Sequence, residues 1–372
     1  GEVSDILTRL GMQIESNGET WQVCPPSFRF DIALEADLIE ELARVHGYNN
    51  LPSQVPQSRL TMQKQPAVAL EQVQTVLVQR DYQEAITYSF VDPKLLEQVD
   101  PEAQPLTLAN PIASDMAVMR TTLWVGLLQA LLYNKKRQQN QIRLFEIGLR
   151  FRQSENQGLQ QEQMIAGIVT GTRLPEQWGQ TKQAVDFFDV KADVEALLSL
   201  ADRGREPSEV CHFTKATHPA LHPGQTAAIY RGEEWIGLLG AVHPSLVQTL
   251  ELMPPVYLFE LRLTPLCQVP IPKFKEVSKY PSIRRDIAVV VSEKVSAAQV
   301  LNCIRLLAIE TLIDLQLFDV YQGEGIDSGK KSLAIGLLFQ AFSRNLTDSE
   351  IDTVVEQILN TLEHNLDAQL RK

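Results

Sequence analysis

Several common classes of protein are marked by features that this chain lacks. Its four cysteines, Cys24, Cys211, Cys267 and Cys303, lie far apart with no C-x-x-C pair. That spacing indicates neither a disulfide framework nor a thiolate zinc site. No apolar run approaches the roughly 18 residues of a membrane span, so a soluble, cytoplasmic chain is expected. There is no initiator methionine and no charged leader ahead of an apolar stretch, and the sequence reads as a piece of a longer chain. No G-x-S-x-G nucleophile elbow occurs. Positive charge is scarce too: 34 Lys and Arg stand against 46 Asp and Glu, a net charge of −12. Such a balance argues against gripping nucleic acid through bulk potential, so any RNA contact has to be local.

What is present begins with 372 residues of 44% hydrophobic content, enough for about two to four domains. The stretch RFDIALEADLIEELARVHG, residues 29–47, says the most. Asp37, Glu40, Glu41 and Arg44 are spaced i, i+3, i+4, i+7, one face of a helix, while Leu38, Leu42 and Val45 form the apolar stripe. Gly47 is its stop. Asp31 adds a fourth carboxylate just before it. Crowding like charges costs roughly several tenths of a kcal/mol per pair, which a hard cation would offset. All-oxygen ligation selects Mg²⁺ or Ca²⁺ over zinc. The competing reading is a solvated acidic face with Arg44 as partial counter-ion.

Around this stretch, residues 1–55 read as a small α+β module. Ser4 is expected to cap a helix with Ile6, Leu7 and Leu10 inward and Gly11 as its end. MQIES and ETWQVC flank Asn17-Gly18, a hairpin signal. Helix, hairpin and helix together predict a winged-helix-like shape, and with it a nucleic-acid-binding protein as an alternative. Against DNA, the would-be recognition helix carries Asp37, Glu40 and Glu41 outward. After the Pro-rich linker PSQVPQSRLTMQKQP, a second region (56–270) alternates helices and strands. A helix is predicted around Val73, Val76, Leu77 and Arg80, then strands EAITYSFV and LTLAN, then a helix from about Leu123 to Arg137. IRLFEIGLRF, MIAGIVTG, TAAIY, WIGLLGAV and VYLFELRL read as further strands, with a turn at Arg231–Glu234. Few crossover helices imply a mostly antiparallel sheet. Beyond the linker CQVPIPKFKEVSKYPS, residues 280–372 follow a β-α-β-β-α-β order, a ferredoxin-like fold. Its helices start at the Ser296/Gln299 and Thr347/Glu350 capping boxes. The second should bury Ile351, Val354, Val355, Ile358, Leu359 and Leu362.

VCPPSFRFDIALEADLIEELARVHGYNNLP resembles the signature of the β subunit of bacterial phenylalanyl-tRNA synthetase. The likeness continues through NPIASDMAVMRTTLWVGLLQALLYNKKRQ, HPGQTAAI and GLLGAVHPSL to KYPSIRRDIAVVV, LFDVYQG and RNLTDSEI. The resemblance implies that Asp31, Asp37, Glu40 and Glu41 bind Mg²⁺ at the contact with a catalytic α subunit. It further implies a middle region built on the catalytic fold of class II synthetases, and a final domain that meets the anticodon region of tRNA(Phe). Arg120 then stands where a catalytic subunit has its ATP-binding arginine. Thr122 replaces the acidic partner, and no G-x-G-x-G-x-E-R stretch occurs. The expectation is a scaffold without catalysis, in an assembly of two α and two β chains with ATP bound by α only and no DNA or membrane partner. A self-contained ligase is the other alternative, disfavoured by the missing arginine motif.

Rival motifs weigh less. Gly323–Ser332 mimics a phosphate loop, but no glycine sits five residues before Gly329 and the stretch joins two strands. His218 and His222 have zinc-like spacing, which Pro219 spoils. Arg284, Arg285, Lys330, Lys331 and Arg344 are the candidate tRNA contacts, with Tyr321 and Phe342 as nearby aromatics. The opposing reading is ordinary ion pairing, such as Arg285 with Asp286 or Asp319.

Overall fold

The computed structural model describes residues 1–56, 68–154, 158–202, 210–270, 274 and 276–371. They fall into two compact units, divided between residues 56 and 68. Parts of both linkers lie outside the described residues. Among the described residues no helix is long and apolar enough to cross a membrane.

The first unit comprises α1 (Glu2–Arg9), β1 (Gln13–Asn17), β2 (Thr20–Cys24) and α2 (Glu35–His46). Asn17 pairs with Thr20 across the hairpin, and Gly18 takes φ +73°, the left-handed conformation that such a turn requires. Ser4 does not cap α1. The helix starts earlier, after Gly1, with Glu2 and Asp5 in its first turn. Ser4 Oγ instead accepts a hydrogen bond from Trp21 Nε1 at 3.0 Å. Ile6, Leu7 and Met12 make a small core, and α2 contributes no fully buried residue to it.

The second unit opens with α3 (Leu70–Val78), β3 (Gln83–Glu84), β4 (Phe90–Val91), α4 (Pro93–Val99), β5 (Val118–Met119) and α5 (Trp124–Lys135). It continues with β6 (Ile142–Ser154), β7 (Gly158–Thr170), α6 (Phe187–Asp202), β8 (Cys211–Lys215), β9 (Leu221–Arg231) and β10 (Glu234–Val242). Then come α7 (Pro244–Thr249), β11 (Val256–Arg262) and α8 (Leu263–Cys267). The seven-stranded sheet runs β3-β6-β7-β11-β10-β9-β8. All its pairs are antiparallel except β3 with β6. Alternate residues of the central strands face opposite sides. Met164, Ala166 and Ile168 of β7 join the core under α5; Ile165 and Val169 join the core that includes Val190, Val194 and Leu197 of α6.

Three expectations need correction here. EAITYSFV is not one strand: only Gln83–Glu84 and Phe90–Val91 pair. The chain leaves the ladder because Glu146 takes the Thr87 amide at 3.3 Å and its hydroxyl at 2.7 Å. LTLAN forms a single bridge, Thr107 to Val118. Arg80 lies beyond α3, where it pairs with Asp193 at 2.9 Å. Helix α4 was not expected, although Asp92 accepting from Lys94 N and Pro93 at its first position are a standard start.

The remaining elements are β12 (Ile283–Ser292), α9 (Ala297–Arg305), β13 (Leu312–Tyr321), β14 (Lys330–Phe339), α10 (Asp348–Leu366) and β15 (Gln369–Leu370). Their antiparallel sheet has the order β13-β14-β12-β15, as a ferredoxin-like domain requires. Both capping boxes form. On α10 only Ile351, Ile358 and Leu362 are fully buried; Val354, Val355 and Leu359 are partly so.

Candidate functional site

The four acidic candidates stand near one another in sequence, but each carboxylate has a different engagement. Asp31 is bound by Arg29, with Nη2 to Oδ2 at 2.7 Å and Nε to Oδ1 at 3.0 Å. Glu41 lies between two guanidiniums, 2.7 Å from Arg44 and 3.3 Å from Arg29. Asp37 turns back along its own helix, where Oδ2 accepts the amides of Ala33 at 2.8 Å and Leu34 at 2.7 Å. It therefore satisfies donors at the start of α2. Glu40 is exposed and makes no hydrogen bond or ion pair within the described residues.

These contacts set the charge states. Hydrogen bonds from Arg29 hold Asp31 below the ordinary carboxylate range. Arg44, then Arg29, does the same for Glu41. The amides of Ala33 and Leu34 do so for Asp37. Carboxylate oxygens are the right donors for Mg²⁺. As arranged, however, the set does not fit a cation, because Arg29 occupies the space between Asp31 and Glu41 and Asp37 is spent on its cap. Among the described residues no three His, Cys, Asp or Glu side chains are placed to hold a metal. The same surface is strongly apolar: Phe28, Phe30, Leu34 and Ile39 are 70%, 94%, 68% and 59% exposed.

Arg120 is locked inside the second unit. Its side chain is 3% exposed and meets Glu146 at 2.6 Å; Nε donates to Leu149 O at 2.8 Å and Nη1 to Thr87 Oγ1 at 3.1 Å. With these partners the guanidinium holds the sheet to the segment before β4. Thr122 donates to Glu260 Oε1 at 2.8 Å, so the hydroxyl at this position is also internal.

All five basic candidates of the C-terminal domain have partners within the chain. Arg284 pairs with Asp286 at 2.7 Å and lies 5.3 Å from the ring of Phe318. Arg285 reaches Asp348 and Asp352 on α10, instead of Asp286 or Asp319. Lys330 pairs with Asp327 at 3.1 Å, Lys331 donates to Glu293 O at 3.1 Å, and Arg344 pairs with Glu350 at 2.7 Å. Sequence reasoning missed two features, Phe318 at 49% exposure and Arg371 stacked 5.0 Å from Tyr321. An outward aromatic on β13 was the available signal for the first. Phe342 is exposed. His218 packs edge-on against Trp124 and, like His222, takes a nearby backbone amide on Nδ1. Among the described residues neither belongs to a group of three ligating side chains.

Comparison with known proteins gives this arrangement a class. The tRNA synthetase B5 domain matches residues 1–48, and a ferredoxin-fold anticodon binding domain matches residues 278–371. Between them, the phenylalanyl tRNA synthetase beta chain CLM domain matches residues 51–263. The chain belongs to the phenylalanyl-tRNA synthetase β-chain family. It is 52% identical over its whole length to a phenylalanine–tRNA ligase beta subunit of Pseudomonas fluorescens, of which it covers 47%. A beta subunit of Nitrosococcus oceani is 48% identical, with 46% of it covered. The chain thus spans about half the length of the curated relatives it matches. A solved pyrrolysyl tRNA synthetase from Desulfitobacterium hafniense shares 17% identity over 53% of this chain and 63% of that one, with a TM-score of 0.40, too slight to carry an argument.

Proposed function

We propose that this chain serves as the scaffolding part of a phenylalanine–tRNA ligase β subunit, which joins L-phenylalanine to tRNA(Phe) with ATP. The observation that carries this reading is the succession of three family domains along the whole chain. In it, residues 1–55 are a winged-helix-like module, 56–270 a class II synthetase-like core without catalysis, and 280–372 the anticodon-binding domain. Chemistry and ATP belong to the α subunit in an assembly of two α and two β chains. Arg120 supports the non-catalytic role, since its pairing with Glu146, Thr87 and Leu149 leaves it structural.

The module at the N-terminus is the proposed contact with α. Exposed Phe28, Phe30, Leu34 and Ile39 give that surface apolar area suited to a protein partner. Mg²⁺ shared with α belongs to the same proposal. Asp31, Asp37, Glu40 and Glu41 supply oxygen donors, but the cation requires Arg29 to be drawn away and further ligands from the partner. For tRNA, Arg284, Arg285, Lys330 and Arg344 are exposed enough to exchange a carboxylate for a phosphate, and Lys331 to exchange a backbone carbonyl for one. The alternative, a winged-helix nucleic-acid-binding protein without a ligase role, has no observation in its favour.

The test is the mass in solution of this chain mixed with the α subunit, with Mg²⁺ and after chelation, for wild type and Glu40→Ala. Glu40 is the carboxylate to change, because Asp37 also holds the start of α2. A complex weakened by chelator and by Glu40→Ala supports the interface and its metal. A complex indifferent to both removes Mg²⁺ from the reading, and no complex at all removes the α contact.

A further inference from the structure

The second unit contains a cavity of about 500 Å³ that the scaffolding role leaves unused. Its volume lies within the roughly 300–1,000 Å³ of small-molecule sites. Glu260 of β11, Thr122 ahead of α5, Arg150 of β6 and the rings of Trp124 and Trp235 line it. Glu260 is fixed on one side only: Oε1 accepts from Thr122 Oγ1 and from Leu123 N, both at 2.8 Å. Among the described residues its other oxygen has one long contact, 3.4 Å to Arg150 Nη1. Arg150 makes its shorter bonds elsewhere, 3.0 and 2.5 Å to Glu162.

The cavity lining carries Asp100, Glu102 and Glu260 beside two guanidiniums, Arg150 and Arg152. Arg152 reaches Asp100 at 3.4 Å, Arg150 is shared with Glu162, which Arg262 also meets at 2.5 Å, and Glu102 is exposed to solvent. Burial lowers the His218 imidazole from its ordinary value, which disfavours its charged form. Burial likewise pushes the Glu260 carboxyl up, the direction expected of a carboxylate with too little compensation. One further cation would supply it. A metal ion does not meet the geometry, since no three ligating side chains converge among the described residues. An organic cation needs only one carboxylate and an apolar wall, which Trp235 and Leu238 provide. His218 adds a donor: its Nδ1 accepts the Ala220 amide, so Nε2 carries the ring proton and has no hydrogen-bond partner among the described residues.

We propose that this cavity binds a small organic ammonium ion with a flat apolar body, its nitrogen on Glu260, its body against Trp235 and Leu238, and a polar end within reach of His218.

The test uses the full 372-residue chain and tyramine as the probe, followed by saturation-transfer NMR and calorimetry. Two comparison compounds separate charge from shape: 3-(4-hydroxyphenyl)propionate keeps the ring and reverses the charge, and spermidine keeps the charge without a ring. Tyramine is expected to bind and the propionate not to. Glu260→Gln keeps an acceptor for Thr122 and weakens binding by at least about tenfold, the effect of losing a charge-assisted hydrogen bond. Should that variant fail to fold, Leu238→Trp, which fills the cavity, is expected to abolish binding, and exposed Glu102→Gln to weaken it by about twofold. Absence of tyramine binding at ~10 mM, equal binding of the propionate, spermidine binding in its place, or unchanged tyramine affinity in folded Leu238→Trp would each overturn the assignment.

Discussion

Arg120 and Arg29 each bridge a carboxylate, yet one is sealed within the sheet unit and the other lies at the surface of the N-terminal unit. Arg120 and Glu146 are both 3% exposed, whereas Arg29 and Asp31 are 20% and 52% exposed. A charge pair interacts about four times more strongly at an effective dielectric of 20 than in water, and a stranded partner inside the protein cannot be rescued by solvent. The buried pair is therefore permanent framework. The surface group can trade one partner for another at low cost, because water solvates whichever charge is released. A region that must be repartnered, as in the proposed subunit contact, is built from the second kind. The region that holds the shape is built from the first.

The largest effect should come from breaking the buried pair. Arg120→Ala strands Glu146 and takes a donor from Thr87, and is expected to cost about 3–5 kcal/mol. Replacing both ends, Arg120→Met with Glu146→Leu, should cost clearly less, since no unpaired charge remains. Trp124 and Trp235 report on this unit, so the fluorescence midpoint in urea is read in a Trp21→Phe/Trp178→Phe background. A loss below about 1 kcal/mol for Arg120→Ala would mean that water reaches Glu146 and that the contrast with Arg29 is only one of degree.

The same contrast explains what the sequence could and could not reveal. Strands such as MIAGIVT and VYLFEL are legible because both faces are buried, and the α10 stripe because its period is helical. The ferredoxin-like order follows from those periods and two capping boxes. EAITYSFV misleads because its alternation is right for a strand while a distant carboxylate, Glu146, takes its backbone amide. Helical spacing places Asp37, Glu40 and Glu41 on one helix. It does not say that Asp37 will curl back onto Leu34, or that Arg29, twelve residues before Glu41, will come between the acids. Ion-pair partners set by tertiary approach, such as Arg285 with Asp348, are equally silent in the sequence.

A smaller effect separates two neighbouring acids of α2. Asp37→Ala removes the acceptor for the Ala33 and Leu34 amides, so amide exchange in the first turn of α2 should speed up. Glu40→Gln removes no side-chain contact among the described residues and should leave exchange unchanged. If both variants behave alike, Asp37 is not a cap and regains its standing as a free surface carboxylate. The pair thus decides whether an Asp37 substitution can report on a partner or metal without also loosening the helix.

The smallest effect concerns the other capped helix, where the charge partner is exposed. Arg344 first, then the Thr347 amide and hydroxyl, lowers the Glu350 carboxyl from 4.5 to about 2. A group depressed in the folded state adds stability above its unfolded value and loses it as pH falls through the folded one. Protection of the first-turn amides of α10 should therefore decline between about pH 4.5 and 2. Glu350→Gln keeps an acceptor for Thr347 but cannot titrate, so the difference between the two proteins isolates this carboxyl from other acids in the same range. If tRNA draws Arg344 to a phosphate, Glu350 loses the main cause of its depression. The decline in protection still begins near the unfolded value, but in the tRNA complex it should be smaller and finish at higher pH than in the free chain. A decline of unchanged size and span would leave Arg344 on Glu350 and remove it from the tRNA contacts.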